Sequence, residues 1–79
     1  MIEEKIRVFI VEELFYDDAG TGLANDFPLL DRQVIDSLGM FQLVGYLESE
    51  FGVEIFDEEL IPQNFGTISD IARLVREKE

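Results

Sequence analysis

Apolar residues recur at helical spacing in three separate segments of the chain. The first segment runs from Ile2 to Phe15 and predicts an amphipathic helix, with apolar positions Ile2, Ile6, Phe9, Ile10 and Leu14. A connection of about twenty residues without a helical period follows, which is long for so small a domain. It carries apolar side chains of its own: Leu23, Phe27, Leu29, Leu30, Val34 and Ile35. We therefore expect an ordered loop that packs on the core.

The second predicted helix has signals at both ends. Asp36 or Ser37 can cap its first turn, and Gly52 suits its C-terminal end. Its apolar positions are Leu38, Phe41, Leu43, Val44, Leu47 and Phe51. Thr67 and Asp70 have the spacing of a capping box for the last helix, with Asp in place of the usual Glu or Gln. The residues that follow at helical period are Ile68, Ile71, Ala72, Leu74 and Val75.

The segment between these two helices predicts a link and a short third helix. Residues Val53–Phe56 alternate like a strand, but an isolated strand has nothing to pair with. Residues Asp57–Leu60 are typical of a helical turn, which we expect Pro62 to close. The sequence therefore predicts one all-α domain over residues 1–79. Its bundle has three main helices, one short helix and a long loop between the first and second helices.

Composition narrows the classes of function. The chain of 79 residues has neither Cys nor His, so a disulfide framework, a thiolate metal site and an imidazole base are excluded. Eighteen acids against six bases give a net charge of −12, which argues against nucleic acid and anionic membranes as partners. No Lys or Arg occurs from Gln33 to Ala72, so a basic protein partner is the natural complement. The apolar runs are short and the amino terminus lacks signal-peptide order, so we expect a cytoplasmic monomer.

Ser37 is the residue whose setting suggests chemistry, because it opens a helix after a long loop. Spacing alone favours a helix cap for the pair Asp36 and Ser37. Ser37 cannot be a self-activated nucleophile, since the chain has no His, Lys5 and Lys78 lie at its ends, and no Gly-x-Ser-x-Gly elbow surrounds the serine. We therefore expect no catalytic residue, and any reaction at Ser37 must be catalysed by another protein.

Several segments together resemble acyl and peptidyl carrier proteins. Pro28–Asp31 followed by Val34–Gly39 is similar to the loop and attachment motif of that family, Leu47–Ile55 to the end of its second helix, and Asn64–Ile68 to the start of its last helix. The resemblance covers nearly the whole chain. It implies that a phosphopantetheinyl transferase attaches 4′-phosphopantetheine from coenzyme A to Ser37. The arm's thiol would then carry a thioester between a loading enzyme, of adenylation or acyltransferase type, and downstream acyl-processing enzymes.

The resemblance also implies roles for residues near Ser37. Asp36 would help the transferase to dock or to bind its metal, although a helix cap alone accounts for an acid there. Leu38, just past the cap, would contact partner enzymes, although a Leu there suits a core equally. Met40 would lie on the same partner-facing side of the helix, although an apolar residue at helical spacing is more often core. A set of acidic side chains would attract partner enzymes with basic surfaces. Each acid taken singly suits a solvent-exposed face. As a set without a base nearby in the sequence, they favour an interaction surface. These acids are Glu48, Glu50, Asp57, Glu58 and Glu59.

The subtype follows from departures within the resemblance. Many fatty-acid synthase carriers have acids where this chain has Gly39 and Gln42, and a larger apolar side chain where it has Gly45. The chain looks more like stand-alone carriers of specialised pathways, which load an amino acid or an unusual acyl group. A D-alanyl carrier for cell-wall modification is the alternative within the family, and a dedicated polyketide or fatty-acid carrier comes next.

The acidic loop and the acidic surface also suggest two other classes of protein. Asp17, Asp18 and Asp26 cluster in one loop, but Pro28 stands where a calcium-binding loop needs its closing Glu, so we predict no metal site. An acidic helical adaptor without a prosthetic group would use Ser37 only as a cap. Replacing Ser37 by Ala separates the adaptor from the carrier.

Overall fold

The computed structural model describes residues 2–13 and 24–79, and all regular structure in that part of the chain is helical. The helices are α1 (Ile2–Glu13), α2 (Ser37–Phe51), α3 (Pro62–Phe65) and α4 (Ile68–Lys78), with one 3-10 turn, Asp57–Glu59, before α3. The all-α prediction with three main helices and one short helix is confirmed. The predicted helical residues Leu14 and Phe15, and Leu23 of the loop, lie outside the described residues.

The core lies where α1, α2 and α4 meet. Ile6 and Ile10 of α1 are one helical turn apart and fully buried, and α4 packs against both α1 and α3. Phe65, the last residue of α3, is also fully buried, and truncating such a side chain typically costs about 3–5 kcal/mol. The other buried apolar residues are Leu29, Ile35, Leu43, Leu47, Val53, Ile55, Ile68, Ile71, Ala72, Leu74 and Val75. The apolar periods of the sequence therefore do form one core.

The residues predicted to cap the helices do so in the structure. The Asp36 carboxylate accepts from the Gly39 N–H at 2.7 Å, so Asp36 is the cap and Ser37 the first residue of α2. Gly52 ends α2 in the left-handed conformation, with φ of 67°, which glycine adopts without steric cost. The Thr67 hydroxyl accepts from the Asp70 N–H at 3.1 Å and caps α4. Among the described residues, no helix is both long and apolar enough to span a membrane.

The prediction that Pro62 closes the short helical turn is wrong. Pro62 is instead the first residue of α3, and the 3-10 turn ends three residues earlier at Glu59. Proline fits this position because the first N–H of a helix has no partner within the helix, and its fixed φ already matches the helix. The Asn64 amide donates to the Glu59 carbonyl at 2.9 Å and ties α3 to the preceding turn.

The described part of the long loop is fixed to the core, as expected. The Leu29 N–H donates to the Gly66 carbonyl at 2.8 Å, and the Ser69 N–H donates to the Asn25 carbonyl at 2.9 Å. Leu29 itself is fully buried. These contacts join the loop to the junction between α3 and α4, so the chain enters α2 from a defined position.

Candidate functional site

Ser37 is exposed at the first position of α2. The N–H groups of Gly39 and Met40 are occupied by the side chain and the carbonyl of Asp36, at 2.7 and 2.8 Å. The N–H groups of Ser37 and Leu38 have no acceptor within the helix, because helical hydrogen bonding begins four residues into it. The helix dipole favours negative charge at this end. The serine hydroxyl is thus accessible and lies where a helix best accommodates an anionic substituent.

A buried side chain and a tight turn fix the backbone before Ser37. Ile35 is only 4% exposed and anchors the chain two residues before the serine. Gln33 has φ of 59°, the left-handed conformation, in a turn where its N–H donates to the Leu30 carbonyl at 3.1 Å and the Val34 N–H donates to the Leu29 carbonyl at 2.9 Å. No residue type in this segment indicates the turn in advance, because Gln is not a residue that favours left-handed backbone. Its effect is to bring Asp36 and Ser37 to the surface.

A groove of about 720 Å³ adjoins the serine. It lies between the turn before α2 and the first turns of α2 itself. Its walls combine polar and apolar side chains: Leu30, Gln33, Ile35, Asp36, Ser37 and Met40. Met40, which the sequence placed on a partner-facing surface or in the core, is half-buried here and packs against the core from the groove side.

An exposed apolar face follows Ser37 on α2. Leu38 is 65% exposed, which agrees with its predicted place on a surface, and Phe41, one turn later, is 77% exposed. In the sequence, Phe41 is one of the apolar positions of the predicted helix. Helical geometry could have predicted the exposure of Phe41. At about 100° per residue, Phe41 lies roughly 200° around α2 from the buried Leu43, and so on the opposite side of the helix. Leu38 and Phe41 therefore form an apolar face on the outside of the bundle.

The predicted acids lie in different settings. The Glu48 carboxylate accepts from the Ile55 N–H at 2.9 Å, which fixes the link after α2, and Glu50 pairs with Lys5 at 2.7 Å. Glu48 and Glu50 therefore each have a partner within the domain, while Asp57 and Glu58 are exposed. The role of these four acids in partner binding stays a prediction.

Glu59 is held by two groups. Lys78 Nζ lies 2.8 Å from its carboxylate, and the Phe56 N–H donates to the same oxygen at 2.9 Å. The hydrogen bond from Lys78, followed by that from Phe56, lowers the pKa of Glu59 below its usual value. Within residues 2–13 and 24–79, no group of three or more Asp or Glu side chains could hold a metal ion; Asp17 and Asp18 lie outside that part of the chain.

A helical bundle with an exposed serine at the start of its second helix has the arrangement of a carrier domain. Comparison with known proteins agrees, since residues 10–75 match the family described as "Phosphopantetheine attachment site". The relative named "Probable acyl carrier protein PigG", from a Serratia species, is 34% identical over 96% of this chain and 86% of its own. The acyl carrier protein of Streptococcus thermophilus is 36% identical over 95% of this chain and 92% of its own. The chain therefore belongs to the acyl carrier protein family, whose prosthetic group is a covalently attached phosphopantetheine.

The solved structures agree on the fold. A chain in the crystal structure of an FAD-dependent dehydrogenase superposes with a TM-score of 0.79 at 30% sequence identity. The alignment covers 89% of this chain and 97% of that one, so the matched chain is about as short as this one.

The residues present suit this prosthetic group. A phosphodiester on Ser37 would meet the free N–H groups of Ser37 and Leu38 and the positive end of the α2 dipole. The exposed hydroxyl leaves room for a modifying enzyme, and the groove beside it leaves room for an attached chain. When bound, the group supplies a thiol that the chain itself lacks.

Proposed function

We propose that Ser37 is the attachment site of the 4′-phosphopantetheine arm and that the arm carries an acyl or aminoacyl group as a thioester. The observation that carries this proposal is the exposure of Ser37 at the first position of a capped helix. Ser37 Oγ forms a phosphodiester with the pantetheine phosphate of coenzyme A, and the pyrophosphate bond breaks. Adenosine 3′,5′-bisphosphate leaves, and the hydroxyl proton passes to a base of the phosphopantetheinyl transferase, since this chain offers no His.

Intact-mass spectrometry tests the proposal. The protein is incubated with coenzyme A, Mg²⁺ and a broad-specificity phosphopantetheinyl transferase, beside its Ser37→Ala variant. We expect the wild type alone to gain the mass of one phosphopantetheinyl group. A folded wild-type protein that gains no mass while a control carrier is modified would contradict the proposal and favour an adaptor without a prosthetic group.

Asp36 has two roles that substitution can separate. Its carboxylate caps α2 through the Gly39 N–H, and we propose that its charge also assists the transferase. Asn caps helices about as well as Asp does, so Asp36→Asn keeps the cap and removes the charge. Asp36→Ala removes both and should cost about 1 kcal/mol of stability. Slower modification of a stable Asp36→Asn variant would support a role for the charge, and an unchanged rate would leave Asp36 as a cap only.

We propose that partner enzymes dock on the apolar face formed by Leu38 and Phe41. The acids Asp57 and Glu58 are also exposed, so an enzyme with an apolar pocket and basic groups elsewhere on its docking surface suits this domain. The partners would be the transferase, a loading enzyme and acyl-processing enzymes.

Phe41→Ala tests the docking face. Truncating a central aromatic anchor commonly costs 2 kcal/mol or more of binding free energy, so the KM of the transferase for the apo protein should rise roughly tenfold or more. Val8→Ala is the matched control, because Val8 is an exposed apolar residue, 42% accessible, on the surface of α1. Equal KM values for the two variants would argue against docking on this face.

We also propose the kind of pathway in which this carrier works. Similarity to a relative named PigG and the lack of acids at Gly39 and Gln42 support a carrier in a specialised biosynthetic pathway. The short chain of the same fold in the crystal structure of an FAD-dependent dehydrogenase makes a flavin-dependent dehydrogenase the first enzyme to test as a partner. Such an enzyme should bind the loaded wild-type protein more tightly than the loaded Phe41→Ala variant. Loading with D-alanine by a D-alanine-activating enzyme would instead favour the cell-wall alternative.

A further inference from the structure

A second groove lies between α1 and α2, apart from the groove beside Ser37. It has a volume of about 360 Å³, and its lining residues are Phe9, Glu13, Gln42, Tyr46 and Ser49. Glu13, Gln42 and Ser49 are exposed, whereas Phe9 and Tyr46 are half-buried and pack against the core. The groove therefore has an aromatic floor and a polar rim that includes a carboxylate.

The aromatic floor is ordered by contacts within the protein. The rings of Phe9 and Tyr46 are stacked, with their centroids 4.4 Å apart and an angle of 21° between their planes. The Tyr46 ring also meets the Phe51 ring edge-on at 6.3 Å, and the Tyr46 hydroxyl donates to the Lys5 carbonyl at 3.4 Å. Little reorganisation is therefore needed for a planar group to pack against these rings.

The same aromatic cluster binds a cation of the chain itself at another point. Lys5 Nζ lies 5.9 Å from the centroid of the Phe51 ring, which does not line the groove, and 2.7 Å from the Glu50 carboxylate. An aromatic ring beside a carboxylate thus holds an ammonium group there. The groove presents the same combination, an aromatic surface and the Glu13 carboxylate, so it suits a cation as well.

The chain has no base to spare for this groove. All six bases lie in the part of the chain that the structure describes, and none of them lines the groove. Five of the six form ion pairs with acids of the same chain. The sixth, Arg32, lies in the turn before α2. A cation beside Glu13 would therefore come from another molecule.

We propose that this groove receives an arginine side chain of a basic partner enzyme. The guanidinium stacks on Phe9 and Tyr46 and pairs with the Glu13 carboxylate. The Gln42 amide oxygen and the Ser49 hydroxyl accept its remaining N–H groups. Arg suits the groove better than Lys, because its planar group stacks on aromatic rings and matches a carboxylate with two hydrogen bonds. The contact needs no prosthetic group, so the inference does not depend on the proposed attachment.

The setting of the groove favours an arginine on a protein over a free small molecule. Its rim residues are exposed, so it covers a ligand from one side, whereas pockets for free ligands bury most of the ligand surface. Gln42 lies one helical turn after the exposed Leu38 and next to Phe41, so the groove borders the apolar face proposed for docking. The net charge of −12 also attracts basic proteins.

Arginine amide is the probe for this groove, and citrulline amide is its neutral counterpart of nearly the same shape. Each is titrated at equal ionic strength into the unmodified protein, while NMR follows the Tyr46 ring and the Gln42 side-chain amide. We expect arginine amide to shift these signals several-fold more than citrulline amide does. Equal shifts with the two probes, or shifts spread evenly over the exposed acids, would overturn the inference.

Two variants at neighbouring positions test the role of Glu13. Glu13→Gln keeps the size of the side chain but removes its charge, so it should reduce the response to arginine amide by at least half. Glu12→Gln makes the same change at an exposed residue that does not line the groove, so its response should match that of the wild type. Equal responses from the two variants would overturn the role of Glu13.

Phe9→Leu tests the aromatic floor. Leu keeps an apolar side chain against the core but cannot stack with a guanidinium, so the response should fall in this variant too. An unchanged response would refute the stacking, and Glu13→Gln still decides the inference if Phe9→Leu fails to fold. Signals that move with carrier concentration alone would place Arg32 of a second copy in the groove and overturn the assignment to a partner enzyme.

Discussion

Replacing Gln33 by Gly should stabilise the protein. With φ of 59°, Gln33 keeps its Cβ in the left-handed region, which costs an L-residue about 1–2 kcal/mol. Gly removes that strain but makes the unfolded chain more flexible, which costs about 0.4–1 kcal/mol. The Gln33 side chain is exposed, and the hydrogen bond from its N–H to the Leu30 carbonyl survives the change. The expected net gain is therefore about 0.5–1 kcal/mol.

Urea unfolding followed by far-UV circular dichroism measures this difference. In urea, the unfolding midpoint should rise while the m-value stays unchanged. In thermal unfolding, a gain of that size should raise the Tm of a domain this small by about 2–8 °C. Gln33→Ala is the matched control, because Ala removes the same side chain but keeps Cβ and hence the strain. A Gly variant no more stable than the Ala variant would show that Gln33 is not strained.

Three further predictions concern other positions. Gly45→Ala should stabilise the protein by about 1 kcal/mol, because Ala favours a helix and its Cβ at this exposed position of α2 meets nothing within 4 Å. Thermal unfolding measures the change, and a variant less stable than the wild type would contradict it. Gly66→Ala should destabilise by 1 kcal/mol or more, because a Cβ there would lie 2.7 Å from the Pro62 carbonyl oxygen, and wild-type stability would refute that contact. Glu59→Gln should lower stability at neutral pH through loss of the ion pair with Lys78. Since the pKa of Glu59 is lowered when folded, the stability it adds is present above the unfolded pKa and is lost as pH falls through the folded pKa. The difference between wild type and variant should therefore be full at neutral pH and shrink as the pH falls below the unfolded pKa and through the lowered folded pKa, and a constant difference would exclude this origin.

Features that depend on neighbouring residues were predictable from the sequence. The cap at Asp36, the left-handed Gly52 and the hydroxyl cap at Thr67 each require only residue type and a spacing of three or four. The same holds for the buried stripes of α1 and α4, which follow the helical period. Ser37 could be singled out because it stands at the junction of a loop and a capped helix.

Features that depend on distant parts of the chain were not predictable in this way. The sequence predicts Glu48 on an interaction surface, but its carboxylate accepts from the Ile55 N–H, because the link after α2 turns back along the helix. The sequence predicts Pro62 at the end of a helical turn, but proline is compatible with both a helix end and a helix start, and Pro62 begins the helix that ends at the buried Phe65. The exposure of Phe41 depends on which side of α2 faces the other helices.

The position of Leu38 and Phe41 limits how this chain can be shared. Both lie within about one turn of Ser37, so an enzyme that covers them also covers the proposed point of attachment. Enzymes that use this face must therefore compete, and occupancy by one excludes the others. The throughput of a pathway then depends on how quickly each enzyme dissociates and on the ratio of carrier to enzyme. Overproduction of one tightly binding enzyme, even an inactive form, would titrate the carrier and slow every other step that uses it.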